Sequence, residues 1–448
     1  MHFTLTVREL VEKRILEKPM DGNHGSYHPA SDEYVEKGIP FVMASDLVGG
    51  KIDYIKCKKI TIERANKLQK GFSKLGDVLL THKATIGRTA IVSNIDENSF
   101  VMLTPQVTYY RVKNKNILDN RYLKYYFDSL EFQNILMQWS GGGSTRAYLG
   151  ITGQLDLPIS FPNIEQQLKI VSYIEPIDDK IALNNQMNET LESMAKAIFK
   201  EWFIDFGPVR AKAEGRRPFG MDDETVALFP DSFEDSELGP IPKGWKLDNI
   251  NEFSYLEYGK NLSVSKLQTN GFPVYGAARI IGYYSKSLYK KPTILITCRG
   301  NGSGDILETK EEAFVTNNSI AITPKDENLR HYLRHFLKSI NTKVVVTGSA
   351  QPQITISNLN TLKILIPNKN IFSIFYKLID PLWKMQSLND NQNEDLNKLR
   401  DLLLPKLISG EISLSNNEIS PTSNETTTHI PVQQKIYAYA KNEEKLNV

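Results

Sequence analysis

Two cysteines in 448 residues, Cys57 and Cys298, leave no material for a disulfide framework or a cysteine-based zinc site. Long apolar runs are missing too. No stretch approaches the ~18 apolar residues of a membrane helix, and the opening MHFTLTVRELVEKRILEK lacks the apolar centre of a secretion signal. A cytoplasmic protein is expected. Catalytic patterns are equally scarce. CRGNGSG (298–304) has the glycines of a phosphate-cradling loop, but DILETKEEAFVTNNSIAI follows it and reads as strand, not as the helix such a loop needs. His331 and His335 stand one helical turn apart, yet no third ligand accompanies them, and no metal is expected. There is no glycine-rich S-adenosylmethionine loop, no Asn/Asp-Pro-Pro-aromatic run and no spaced Asp…Glu-x-Lys nuclease set. A binding protein without catalysis of its own is the expectation.

What is present is ordinary in amount and unusual in arrangement. With 40% hydrophobic and 24% charged residues the chain is of globular composition, and its length calls for two to four units. Net charge is only +2, but it is unevenly spread. Residues 51–88 carry ten Lys/Arg (Lys51, Lys56, Lys58, Lys59, Arg64, Lys67, Lys70, Lys74, Lys83, Arg88) against three acids, and residues 243–299 carry nine against three. Between them, residues 201–240 hold ten acids against four bases. Two basic blocks flanking an acidic one suggest two anion-binding surfaces.

The chain also repeats itself. GSTRAYLGITGQLDLPISFP (143–162) aligns without a gap to GSAQPQITISNLNTLKILIP (348–367), a shift of 205 residues. The register continues: IEPI (174–177) returns as IDPL (379–382), and Leu183, Asn184, Asn188 and Leu191 return as Leu388, Asn389, Asn393 and Leu396. Upstream the copies diverge, but GDVLLTHKATIGRTAIV (76–92) still matches PTILITCRGNGSGDILE (292–308) as strand, turn, strand, and RYLKYYFDSL matches HYLRHFLKSI as helix. Each half therefore reads as a globular unit followed by a long helix.

On the first of those helices a seam of alternating four- and three-residue steps runs Ile177, Ile181, Asn184, Asn188, Leu191, Ala195, Ile198, Trp202. Asparagines at Asn184, Asn188, Asn389 and Asn393 interrupt it at matched places in both copies. A buried amide without a partner is penalised, so these residues are expected to fix the register of two antiparallel helices. Pro176 and Pro381 are expected to open the helices at their first turn, leaving ~43 Å of helix to Asp205 at ~1.5 Å per residue.

LNNQMNETLESMAKAIFKEWFIDFGPVRAKAEG (183–215), ALFPDSFEDSELGPIPKGW (227–245) and LRDLLLPKLISGEI (399–412) closely resemble the specificity (S) subunits of type I restriction–modification systems. The resemblance extends to about residue 413 and implies an α+β chain: two α/β target-recognition domains, related by duplication about a pseudo-two-fold axis and held apart by two antiparallel coiled-coil helices. The expected division is recognition domain 1–162, helical spacer 163–206, linker 207–243, recognition domain 244–367, second spacer 368–412 and a disordered tail 413–448. In this family each domain reads one half of a split double-stranded DNA target. The helices dock two methyltransferase (M) subunits, and translocase-nuclease (R) subunits complete the enzyme. The resemblance implies no cofactor on this chain, S-adenosylmethionine in the M subunits, and ATP and Mg in the R subunits.

DGNHGSYHP (21–29) looks like a motif of one class of these domains, whereas the second domain opens with GPIPKGW, so the two are expected to read different half-sites. Polar and basic loop residues able to reach bases or phosphates are Asn23, His24, Ser26, Tyr27, Lys83, Arg88 and Gln106 in the first domain, and Arg279, Arg299, Asn301 and Gln351 in the second. Asn and Gln pair with adenine, Arg with guanine, and Lys83 is expected at phosphate. The aromatic end of the first helix, Ile198, Trp202 and Phe203, is the expected M-subunit dock. Two other readings stay open: the specificity portion of a fused restriction-methyltransferase, and a coiled-coil adaptor without a nucleic-acid role.

Overall fold

The computed structural model describes residues 2–412 except 97–98, 142–146, 238, 278, 311 and 349–350, and does not describe the Ser26 side chain. The expected tail, 413–448, lies outside the described residues.

Each half begins and ends on one two-stranded sheet, which returns the chain to its starting point before the long helix departs. His2–Thr6 pairs antiparallel with Pro158–Pro162, and Lys246–Asn249 pairs with Lys363–Ile366. Asn163 and Asn368, again 205 residues apart, then cap the long helices by accepting from the backbone N–H of Gln166 and Asn370 at 2.9 and 3.0 Å. Inside each half lies a four-stranded sheet with the same order. In the first it runs Met20–Asp21, Val107–Tyr110, Val78–Lys83, Thr85–Ile91; in the second, Ser254–Tyr258, Ser319–Pro324, Ile294–Thr297, Ile306–Glu308. A second sheet in each half contains a parallel pair: Val101–Leu103 beside Ile39–Val42, and Phe314–Val315 beside Phe272–Gly276.

The long helices, Ile164–Phe203 and Lys369–Ser409, run antiparallel and exchange ends between the halves. Ile170, Val171 and Ile174 of the first pack into the first domain's core together with Leu404, Leu407 and Ile408 of the second. Ala195, Phe199, Trp202 and Phe203 pack into the other core with Ile371, Phe372, Phe375, Ile379 and Leu382. Each domain therefore holds the start of one helix and the end of the other.

Both helices continue through their prolines, contrary to the expectation that Pro176 and Pro381 open them. An interior proline removes one backbone hydrogen bond. Pro176 and Pro381 are exposed, as are Ser172 and Lys377, whose carbonyls lose their partner, so water can replace the missing bond. At 40 and 41 residues the helices are ~60 Å long, and the expected ~43 Å is too short. The span between cores approaches the ~34–36 Å of one duplex turn, since Ile174 and Ala195 are separated by ~32 Å of helix. Nor is 207–243 a linker lying over a surface. It forms helices Gly207–Ala213 and Asp223–Leu228 and sinks Val209 and Phe229 into the second core.

Ion pairs fasten the domains to the helices. Lys124, buried in the first domain, donates to Asp178 of the first helix at 3.0 Å, and Asp178 also accepts from Arg400 of the second at 3.1 Å. In the second domain Arg334 donates to Glu192 at 2.9 Å, and Arg330 donates to Asp380 at 2.8 Å and to Glu308 at 3.1 Å. Beside them, burial and the neighbouring Arg334 cation hold the His335 imidazole down at about 3. His335 is therefore neutral in the folded chain but takes a proton in the unfolded chain below pH ~6.5. Its contribution is complete above ~6.5 and is lost as pH falls toward the folded value, at up to ~1.4 kcal/mol per unit. Thermal melts should thus show the second domain weakening from pH 6.5 to 4.5, and His335→Gln should flatten that slope. An unchanged slope in the variant would remove His335 as the cause.

Candidate nucleic-acid interface

The asparagine layers form the middle of the helix pair. Asn184 is fully buried and donates to Asn393 at 2.8 Å and to Gln392 at 2.9 Å. Asn389 donates to Asn188 at 2.8 Å, and Asn188 donates to Asp390 at 2.8 Å. The 205-residue shift carries Asn184 onto Asn389 and Asn188 onto Asn393. The Asn184–Asn393 and Asn389–Asn188 contacts are thus one contact seen twice, related by a pseudo-dyad between the helices.

That symmetry extends to one end of each four-stranded sheet. In the first domain the His82 N–H donates to the Gln106 carbonyl at 3.0 Å, the Leu149 N–H donates to the His82 carbonyl at 3.0 Å, and Lys83 bridges Tyr148. In the second, the Cys298 N–H donates to the Asn318 carbonyl at 2.8 Å, the Ile354 N–H donates to the Cys298 carbonyl at 3.0 Å, and Arg299 bridges Gln353. A glycine seals each arrangement. A Cβ on Gly22 would lie 1.8 Å from the Leu103 oxygen, and one on Gly259 would lie 2.2 Å from the Thr316 oxygen, so only glycine admits this approach.

These sheet ends gather some of the expected residues and exclude others. His24, Lys83 and Gln106 meet in the first domain; the His24 ring nitrogen lies 2.7 Å from the Asp21 carboxylate, and the Lys83 ammonium lies 5.9 Å from the Tyr148 ring centre. Arg299, Asn301 and Gln351 meet in the second, all exposed, where the Gly300 N–H donates to the Pro352 carbonyl at 3.0 Å. Tyr27 is about half exposed and presents its ring, while its carbonyl accepts from Arg64 at 3.1 Å. Ser26 falls on the same turn, its side chain outside those described.

One expectation is corrected, and two residues stand apart from the sheet ends. Asn23 is 3% exposed, and its amide clamps the 69–70 backbone, accepting from the Gln69 N–H at 2.9 Å, so it faces no ligand. Arg88 turns instead toward a cavity of about 490 Å³ between the first domain and the second helix, shared with Lys124, Arg400 and Asp401. Arg279 stands at the start of a strand in the other sheet. The docking expectation fails more completely. Trp202 and Phe203 are 5% and 4% exposed and belong to the second core, and Ile198 packs against that core from its edge. Trp202 and Phe203 present no face to a partner, and Ile198 only the part of its side chain that the core leaves uncovered.

Sequence reasoning passed over Tyr148, Asn318 and Gln353. The repeat register already set Tyr148 opposite Gln353, but nothing in either residue's type marked it out. Charge is also less available than the totals suggest. Arg64, Lys70 and Lys51 of the first basic block pair with Glu33, Asp21 and Asp179. In the second block, among the described residues, Lys290 alone has an ion pair, with Glu312.

A model of the type I restriction modification DNA specificity domain matches residues 20–193 and again 242–398. The chain is 26% identical over 445 residues to the type I restriction enzyme HindI specificity subunit of Haemophilus influenzae, covering 84% of this chain and 94% of that one. It is 27% identical over 407 residues to the MjaIX specificity subunit of Methanocaldococcus jannaschii, covering 85% and 88%. The crystal structure of the type I restriction–modification S subunit from M. genitalium shares the fold, with a TM-score of 0.57 at 16% identity over 91% of this chain and 96% of that one. With the specificity domain present twice and spanning most of its length, the chain belongs to the type I restriction–modification DNA specificity family.

Proposed function

We propose that this chain is the DNA-reading subunit of a type I restriction–modification complex, with no chemistry of its own. Each domain reads one half of a bipartite duplex target, and the helix pair sets the distance between the halves. The observation that carries this reading is the pair of equivalent, cation-bearing sheet ends on domains locked together by an antiparallel, asparagine-registered helix pair. A two-fold reader of this kind suits a split site, because duplex DNA offers two half-sites related by a similar axis. S-adenosylmethionine belongs to methyltransferase partners, and ATP and Mg to translocase-nuclease partners where these join.

The partners' seats follow from the same symmetry. Leu183 and Leu388 occupy matched places on the two helices and are 52% and 64% exposed, and Tyr173 and Leu378 form a second exposed matched pair. Around Leu388 a groove of about 630 Å³ runs past Asn389, Gln392, Leu396 and Leu399. Two equivalent apolar faces suit two copies of one methyltransferase subunit. Leu183→Asp should reduce the complex from two such subunits to one, and Leu183→Asp with Leu388→Asp to none, with the melting temperature of the chain nearly unchanged. Native mass spectrometry of the co-expressed complex reads the count, and a double variant that retained both subunits would place the seats elsewhere.

The function itself is tested by sequencing methylated adenines in host DNA with and without this gene. A bipartite motif that vanishes on deletion supports the reading; an unchanged methylome refutes it.

A further inference from the structure

We propose that both domains meet DNA through one shared three-position template, whose matched side chains either read a base or grip the backbone of their half-site. The positions are the cation at the end of the sheet strand (Lys83, its last residue, or Arg299, two residues beyond it), the amide at the facing turn (Gln106 or Asn318), and the residue whose backbone pairs with that of the cation (Tyr148 or Gln353). This deepens the DNA-reading assignment and rests on it.

The backbone at these points is fixed in the same way in both domains. The residue before each cation is held by one hydrogen bond to the facing turn and one from the returning loop, at 2.8–3.0 Å throughout. In the second domain Ser303 adds a side-chain bond to the Pro352 carbonyl at 2.9 Å. Readout requires side chains carried on a fixed platform, and here the platform recurs although the sequence around it has diverged. Arg299 and Asn318 are exposed on it, and among the described residues Arg299 has no ion-pair partner and the Asn318 amide no side-chain hydrogen bond. Their functional groups are therefore available to a ligand approaching this end.

The side chains at matched positions differ in what they can recognise. Arg299 presents a planar fork that pairs with guanine O6 and N7, and Asn318 an amide that pairs with adenine N6 and N7. In the first domain Lys83 is a compact charge lying beside the Tyr148 ring. An ammonium lacks the planar fork and fixes a base edge less strictly than Arg, so we assign Lys83 to phosphate and leave Gln106 as the amide reader of that domain. The second half-site should accordingly contain a guanine read by Arg299, while Lys83 adds affinity without sequence choice in the first.

The test uses the complex with its methyltransferase subunits on a library of randomised half-sites. Arg299→Lys should relax one position of the second half-site about tenfold and leave the first half-site unchanged. Asn318→Asp should alter a different position of that same half-site and serves if Arg299→Lys does not fold. Lys83→Ala should weaken binding to all sequences alike and reduce the salt slope by about one. An active Arg299→Lys or Asn318→Asp complex with both half-sites unchanged, or with the first one altered, overturns the template but leaves DNA reading intact. A wild-type complex with no bipartite preference overturns both.

Discussion

Trp202→Ala is expected to unfold the second domain's attachment to the helices rather than detach a partner. Trp202 is 5% exposed and meets Phe229 edge-on at 5.3 Å and Phe375 at 5.9 Å. Its neighbour Phe203 meets Tyr332 at 4.8 Å, Phe375 at 5.0 Å and Trp245 at 6.1 Å. Removing the indole leaves a cavity among rings contributed by the first helix, the 207–243 segment, the second helix and the domain itself. Truncations of this kind cost ~3–5 kcal/mol, enough to lower the melting temperature by on the order of 10 °C in a domain of this size. Calorimetry separates this from a docking role. A variant that kept its wild-type melt yet lost the methyltransferase subunits would restore Trp202 as a docking residue.

That residue also shows where the sequence stops speaking. An aromatic helix end reads equally as a core wedge or a partner's seat, because periodicity reports that a face is buried and not what buries it. The asparagine layers were more legible, since an amide repeated in a gap-free register constrains two helices at once, and the structure pairs Asn184 with Asn393. Lys83 and Arg299 could be set side by side from the aligned strands alone. Asn23 could not be read correctly, because an asparagine in a glycine-rich loop gives no sign that it clamps a distant backbone at Gln69. Pro176 looked like a helix start because local preference takes no account of an outer face where water replaces the lost bond. The 207–243 segment reads as a linker because it is rich in Gly, Pro and acid, yet its scattered apolar residues, Val209 and Phe229 foremost, are enough to bury it against the second core.

Lengthening both helices together should move the half-sites apart without changing either. Because each domain holds one end of each helix, an insertion in one helix alone leaves its partner short and forces the asparagine layers out of register. Seven residues inserted after Thr190, with seven more across the seam after Gln386, keep that register and leave the Asn184–Asn393 and Asn389–Asn188 pairs intact. The added rise is ~10 Å, with a net rotation of only ~20°. At ~3.4 Å per base pair this widens the gap between half-sites by about three pairs. A single insertion beside Asn188 should instead destabilise the pair, since it sets amides against apolar groups.

The decisive measurement is methylation mapping of the doubly lengthened complex on a library with fixed half-sites and spacers of every length. The prediction is that the same two half-sites are modified at a spacing about three pairs wider than that of the wild type. A folded, active variant that kept the original spacing would contradict the helix pair as the element that sets the distance between two DNA-reading domains.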